Sequence, residues 1–524
     1  MDSQLMDKEV LCILDTRQIQ RFMFRSNSYV DTLGGSDLLN HVLEDGILSA
    51  LQSVDPPLKE DEYDLSLDPD APIPYFENEK VLFQIIICTA GNAMFVARTG
   101  RLAQQIIRKV SRYYIDHAYS LNMAAAAVEK TGNLGYDISE LYRKLNNAKT
   151  SAVISDPLGA LPVVLREKRT GLPVYDRDKE RGDYISRASF IRRQEAQKRG
   201  KVISLNELRT TKGANGKNYR AVLHVDGNNI GITIGRVLQQ TPDYQKGIHT
   251  RRRINGNLQR LYEGIMKRTL AQLQEYYEGL GRSDPDFAHE FQIIHNSGDD
   301  INCMCNADLA FPFLDIFFAN LEGGCIGEVD GRRIPLYCCG GISFVTEESD
   351  FHTAFKMAEE CCESAKKTSK LEKNLRDGLA GNWIDFQICE SPYHQELDML
   401  RLKSYVTDTN VNLALRPYCL DEVAKDEEYA YGRFRERALA LHSLKRKYGM
   451  RWLNHLAENY SLERIVYLSQ IYRLKEKGLN LEKLLGAPYY KDENKDIFAT
   501  WFDALEVLPF IPEHTGSGEG GSHG

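Results

Sequence analysis

Apolar residues in this chain fall into short continuous runs that alternate with segments of helical period, and one order of these recurs. VLCILD (10–15) reads as a strand. SDLLNHVLEDGILSAL (36–51), apolar at helical spacing behind Gly34-Gly35, reads as a helix beginning at Ser36. Two short runs in KVLFQIIICTAGNAMFVAR (80–98) hinge at Ala90-Gly91-Asn92, which predicts a hairpin. The helix RLAQQIIRKVSRYYIDHA (101–118) and the strand LNMAAAAVEK (121–130) complete a module ending near residue 150.

The same succession returns after residue 218. It runs through the strand YRAVLHVDGNNIG (219–231), a long helical region to residue 280, the hairpin FQIIHNSGDDINCMCNA (291–307), the helix AFPFLDIFFANLEG (310–323), the strand IPLYCCGGISFVT (334–346) and the helix DFHTAFKMAEECCESAKKTSK (350–370). The order β-α-β-β-α-β is that of a ferredoxin-like split βαβ unit, and its recurrence predicts an internal duplication within an α+β protein. Overlaying the halves sets Asp15 beside Asp226 and CTAGNAMF beside NSGDDINC, so that the second copy carries carboxylates where the first has Asn92 and Ala93. From about residue 391 the pattern is helical, and TGSGEGGSHG at the end reads as a flexible tail.

Asp226 ends one strand, and Asp299 and Asp300 sit at a hairpin tip predicted to lie on the neighbouring strand. Singly, each is an ordinary turn or strand-end residue. Together they bring three carboxylates to one place, which is costly unless divalent cations neutralise them, and Mg²⁺ held by a few hard oxygens shares its remaining sites with phosphates. Two such ions about 4 Å apart would clamp an in-line attack on a nucleotide phosphate.

Composition narrows the partners. The 524 residues are too many for one core, and 66 Lys+Arg against 74 Asp+Glu give a net charge of −8, which argues against bulk attraction to nucleic acid or to an anionic membrane. Residues 155–218 are the exception, crowded with Arg and Lys and interleaved with Tyr175, Tyr184 and Phe190. They form a connector with the makings of a single-stranded RNA site, unless its arginines pair with acidic surface on the neighbouring modules. No apolar stretch approaches a membrane span, and the 11 cysteines include no C-x-x-C pair, so a cytoplasmic protein with reduced thiols and no structural zinc is expected.

At these residues the sequence resembles the palm-domain polymerase/cyclase large subunit of type III CRISPR effector complexes, which makes cyclic oligoadenylates. LDTRQIQRFMFRSNSYVDTLGGSDLL is similar to the opening of that family's first palm, VDGNNIG and SGDD to its active-palm motifs, and CCGGISFVTEESDFHTAFKMAEECCESAKK to its closing strand and helix. The resemblance implies a degenerate first palm (1–150), a basic connector (151–218), a catalytic second palm (219–390), a helical domain (391–512) and a tail (513–524). It implies two Mg²⁺ or Mn²⁺ ions on Asp226, the Gly227 carbonyl, Asp299 and Asp300, with nucleotide held by Asn228, Asn229, Gly231, Ser297, Gly298 and Lys366. A second nucleotide would sit at Gly34, Gly35 and Ser36, where an exposed helix N-terminus suits phosphate.

The implied activity converts ATP or other NTPs into a cyclic oligonucleotide messenger in anti-phage defence, with RNA and CRISPR-like protein subunits as partners and no membrane. The chain opens directly on the first palm, so no His-Asp nuclease domain is expected before it. Ser297 departs from the family by standing in place of the hairpin's first glycine. The rival readings are a cyclic dinucleotide synthase resembling the GGDEF cyclases, and a non-catalytic RNA-binding scaffold.

Overall fold

A computed structural model describes the chain except for residues 1–2, 27, 90, 152–162, 179–181, 200–206, 229, 240, 330–331, 376–379, 422–426 and 514–524. The protein is α+β, with two ferredoxin-like palm modules followed by a largely helical C-terminal region.

In the first module β1 (Val10–Arg17) is central. It pairs antiparallel with β3 (Asn92–Ala97) and β4 (Asn122–Glu129), while β2 (Phe83–Thr89) lies outside β3. The helices are α1 (Tyr29–Ser53), α2 (Gly100–His117) and α3 (Leu134–Ser151). VLCILD is apolar throughout rather than alternating because both faces of β1 are covered: Val10, Cys12 and Leu14 share a core with α1 and α2, whereas Leu11 and Ile13 pack with α3.

The second module repeats this plan. β5 (Asn218–Gly227) lies between β7 (Asp300–Asn306) and β8 (Cys338–Thr346), with β6 (Phe291–Ser297) outside β7. Its helices are α5 (Ile230–Gln239), α6 (Tyr244–Gly279), α7 (Ala310–Leu321) and α8 (Phe351–Ser369); α4 is the connector helix Arg187–Lys198. One strand was not anticipated from the sequence: β9 (Trp383–Cys389) adds parallel to β8.

The duplication extends to an irregularity. Both hairpins shift register at the equivalent place, between Ile85 and Ile87 in the first and between Ile293 and His295 in the second. The observed register follows the alignment of CTAGNAMF with NSGDDINC letter by letter and corrects the residues that answer to the carboxylates. Thr89 pairs with Asn92 as Ser297 pairs with Asp300, and Asp15 pairs with Asn92 as Asp226 pairs with Asp300. The first-module residues that answer to Asp299 and Asp300 are therefore Gly91 and Asn92, not Asn92 and Ala93.

The helix expected from Ser36 begins seven residues earlier, at Tyr29, so Gly34, Gly35 and Ser36 lie buried inside α1 rather than at an exposed N-terminus. Their role is packing. A Cβ on Gly34 would come 1.7 Å from the Arg192 carbonyl oxygen, so glycine here is what lets α4 lie directly on α1. Phosphate binding at a helix N-terminus does not apply to these three residues.

The connector arginines are likewise used inside the molecule. Arg192 is buried, with Nη1 donating to the Phe22 carbonyl (2.6 Å). Arg193 spans Asp31 (2.9 Å) and Asp178 (2.5 Å), and Arg199 donates to both oxygens of Asp37 from Nε and Nη2. Of the three aromatics, Tyr175 and Tyr184 are exposed, while Phe190 packs against the Tyr175 ring.

The palms share a core. The Phe24 ring lies tilted against Phe355 on α8 with centroids 4.4 Å apart, Arg252 of α6 reaches the Ile85 carbonyl (2.8 Å), and Ser36 of α1 hydrogen-bonds Nδ1 of His295 on β6 (2.7 Å). Beyond β9, helices α9 (Tyr431–Tyr448), α10 (Met450–Glu458) and α11 (Arg464–Glu476) form most of the C-terminal region, together with a small sheet of residues 411–412, 489–491 and 497–499. Among the described residues no helix is long and apolar enough to cross a membrane.

Candidate active site

The site is built on the junction of β5 with the β6-β7 hairpin. Ser297 and Asp300 close a two-residue loop whose first central residue, Gly298, has φ +64°. In the first module the left-handed glycine is instead the second central residue, Gly91, at φ +87°. A side chain at that second position would be strained in the first palm. Moving the glycine one residue earlier leaves Asp299 free of a positive φ, so a carboxylate can stand there.

Asp300 faces Asp226 directly across the β5/β7 ladder, and like charges in that relation repel. Each finds a different partner. Lys366, in the last turn of α8, sets its ammonium on Asp226 Oδ2. Asp300 Oδ1 accepts a hydrogen bond from Asn302 Nδ2 (2.6 Å), and Asn302 Oδ1 in turn lies 2.7 Å from Nδ1 of His224. Asp299 packs over Gly227, where a Cβ would lie 2.9 Å from Asp299 Oδ2 and 2.2 Å from Ile230 Cδ1.

Burial, with the charges of Asp226 and Asp300 behind it, pushes the Asp299 carboxyl up to about 6. Burial lowers Lys366, but the adjacent Asp226 outweighs it and holds the ammonium above the usual lysine range. Under the hairpin, Tyr262 of α6 is fully buried and bonded to Cys338 Sγ (2.9 Å); burial first, then Cys338 and Asp299, hold its phenol well above the ordinary value.

Among the described residues, no three His, Cys, Asp or Glu side chains are gathered closely enough to grip a metal ion as they stand. The donor set nevertheless fits one. Asp226 and Asp300 face each other across the ladder with Asp299 at the intervening turn, a set of hard oxygen donors of the kind a divalent cation takes, and Asp299, raised by burial first and then by the charges of Asp226 and Asp300, would ionise more readily beside a cation.

The remaining expected nucleotide residues divide. Gly231 is exposed with open space around it, and Gly298 is exposed at the loop tip. Ser297 closes the loop through its pairing with Asp300. Asn228 is turned inward: its amide nitrogen donates to Ser369 Oγ (2.8 Å) and the Gly381 carbonyl (3.3 Å), so its side chain pins the loop after β5 instead of meeting a nucleotide. Asn229 lies outside the described residues. Sequence reading passed over His224, Asn302, His295 and Tyr262; the signal for the first two was their position, two residues from Asp226 and Asp300 on the same strand faces.

No protein-family model matches the sequence, and no curated protein matches it. Solved structures do. The chain is similar to the crystal structure of the Csm1-Csm4 cassette in complex with pppApApA, at 14% identity and TM-score 0.54 over 98% of this chain and 71% of that one. It is similar to the same cassette in complex with cA4, at 14% identity and TM-score 0.53, over 97% and 70%. With Csm1 of T. onnurineus the figures are 14% identity and TM-score 0.51, over 97% and 70%. At this identity the likeness is one of fold, and it spans nearly the whole of this chain: two palm modules and a helical region in the arrangement of Csm1.

Proposed function

We propose that this protein is a divalent-metal-dependent nucleotidyltransferase that joins NTPs, ATP foremost, and closes them into a cyclic oligonucleotide messenger. The observation that carries the reading is the cross-strand placement of Asp226 and Asp300 with Asp299 at the intervening turn, in the palm that has them and not in its duplicate. The fold of Csm1, crystallised with pppApApA and with cA4, supports the same substrate class.

In this reading Asp226, Asp299, Asp300 and the Gly227 carbonyl hold Mg²⁺ or Mn²⁺. The metal, when bound, neutralises triphosphate charge and makes a ribose hydroxyl a better nucleophile. Lys366 leaves Asp226 for a nucleotide phosphate, a move its unbranched stem permits. Open space at Gly231 and the exposed loop tip at Gly298 admit the nucleotide beside the carboxylates. A second protein subunit is the partner class suggested by the cassette structures, and defence against phage is the setting suggested by the family resemblance.

Each labelled NTP in turn, incubated with the protein and Mg²⁺ or Mn²⁺ and analysed by mass spectrometry, tests the proposal. Cyclic products larger than a dinucleotide from ATP are expected. Cyclic dinucleotides alone would favour the GGDEF-like reading, and the absence of any phosphodiester product under all conditions would refute both.

A further inference from the structure

We infer that Asn302 and His224 are positioning residues that fix which oxygen of Asp300 is offered to the reaction. The inference rests on the proposed function and deepens it.

Asn302 and His224 are direct cross-strand partners on β7 and β5, one step along the ladder's face from the Asp300–Asp226 pair. Both are buried, at 2% and 7% exposure. The next pair on that face, Met304 and Val222, is apolar and belongs to the shared core, and Phe355 of α8 meets the His224 ring edge-on at 5.7 Å. Packing alone would accept an apolar pair here, and burying two polar side chains is unfavourable unless their hydrogen bonds are made. They are made, and in one direction: the ladder ends on the carboxylate. His224 Nδ1 donates to Asn302 Oδ1 (2.7 Å), which orients the amide so that Nδ2 donates to Asp300 Oδ1 (2.6 Å).

Two consequences follow from that orientation. Oδ1 of Asp300 is committed inward, so Oδ2 is the oxygen left for a ligand at the half-exposed tip. The two carboxylates that face each other across the ladder also keep separate partners, Asp300 with Asn302 and Asp226 with Lys366. Hydrogen bonds behind a ligating carboxylate set its orientation, and their loss typically weakens metal binding or activity about 10- to 100-fold.

The test uses the full chain with Mn²⁺ as probe, measured by electron paramagnetic resonance, beside steady-state kinetics with ATP. Asn302→Leu, and Asn302→Thr as a smaller strand-compatible change, should weaken Mn²⁺ binding about 10- to 100-fold and lower kcat, while the KM for ATP stays near wild type. His224→Leu should follow them. His224→Gln, which keeps a donor toward Asn302 Oδ1, should recover most of the loss. Wild-type Mn²⁺ affinity and kcat in a folded Asn302 variant would overturn the inference, as would equal behaviour of His224→Leu and His224→Gln. A wild-type protein that neither binds Mn²⁺ nor makes product would instead remove the proposed function, an outcome distinguishable because it needs no variant.

Discussion

Lys149 of α3 pairs with Asp15 of β1, Nζ to Oδ2 at 2.7 Å, in the place where Lys366 of α8 pairs with Asp226 of β5. Each palm thus sets a lysine, from the helix after its fourth core strand, on the aspartate of its first. The lysine–aspartate pair is common to both palms, and the hairpin carboxylates are what distinguish the second. Lys366→Ala should raise the KM for ATP about 10- to 100-fold, the worth of one charge-assisted hydrogen bond to phosphate. Lys149→Ala should leave kinetics unchanged and cost about 1–3 kcal/mol in chemical denaturation, because Asp15 is buried and loses the partner that the half-buried lysine supplies.

Asp299 carries the pH prediction. Its folded carboxyl titrates near 6, above its ordinary 3.8, so the fold disfavours the ionised form. In metal-free protein the resulting destabilisation sets in as pH rises above about 4 and is complete above about 6. Asp299→Asn should therefore raise Tm relative to wild type at pH 8 and give no gain at pH 4. The double change Asp299→Ala with Asp300→Ala should keep the fold and abolish nucleotide joining; a folded, active double mutant would remove the carboxylates from the chemistry.

Two glycines should behave oppositely. Gly34→Ala drives a methyl into the Arg192 carbonyl and should destabilise by about 1–3 kcal/mol, or more if α4 separates from α1. Gly231→Ala meets nothing and lies in the first turn of α5, so it should be neutral or stabilising by up to about 1 kcal/mol. Thermal melts of the two variants separate a glycine that packing requires from one that it does not.

Arg193→Ala strips Asp31, which is wholly buried, of its ion-pair partner and should cost about 3–5 kcal/mol. Charge reversal at Arg192, Arg193 and Arg199 should accordingly unfold the connector instead of tuning RNA affinity. In a filter-binding titration the wild-type protein should show no steep salt dependence traceable to these three side chains.

The duplicated β-α-β-β-α-β order and the Asp299-Asp300 hairpin tip are legible in the letters, because a period-2 strand and a glycine-bearing turn are local properties that fix which residues face one another across a hairpin, and reading that order as a split βαβ unit is what sets Asp226 on the neighbouring strand. The shift of the left-handed glycine from Gly91 to Gly298 is likewise present in the letters, since CTAGNAMF laid on NSGDDINC sets Gly91 against Asp299 and Ala90 against Gly298. The rest came from packing between segments far apart in the chain. Gly34-Gly35-Ser36 has the composition of a helix start, yet a neighbouring helix made it an interior packing seam. Arg192, Arg193 and Arg199 have the composition of an RNA-binding face, yet the acids and carbonyls that satisfy them lie about 160 residues away in sequence. His224 and Asn302 look like isolated polar letters until the ladder sets them side by side. Each depends on contacts between segments remote in sequence, and local pattern carries no information about which distant atom will supply the missing hydrogen bond or fill the missing volume.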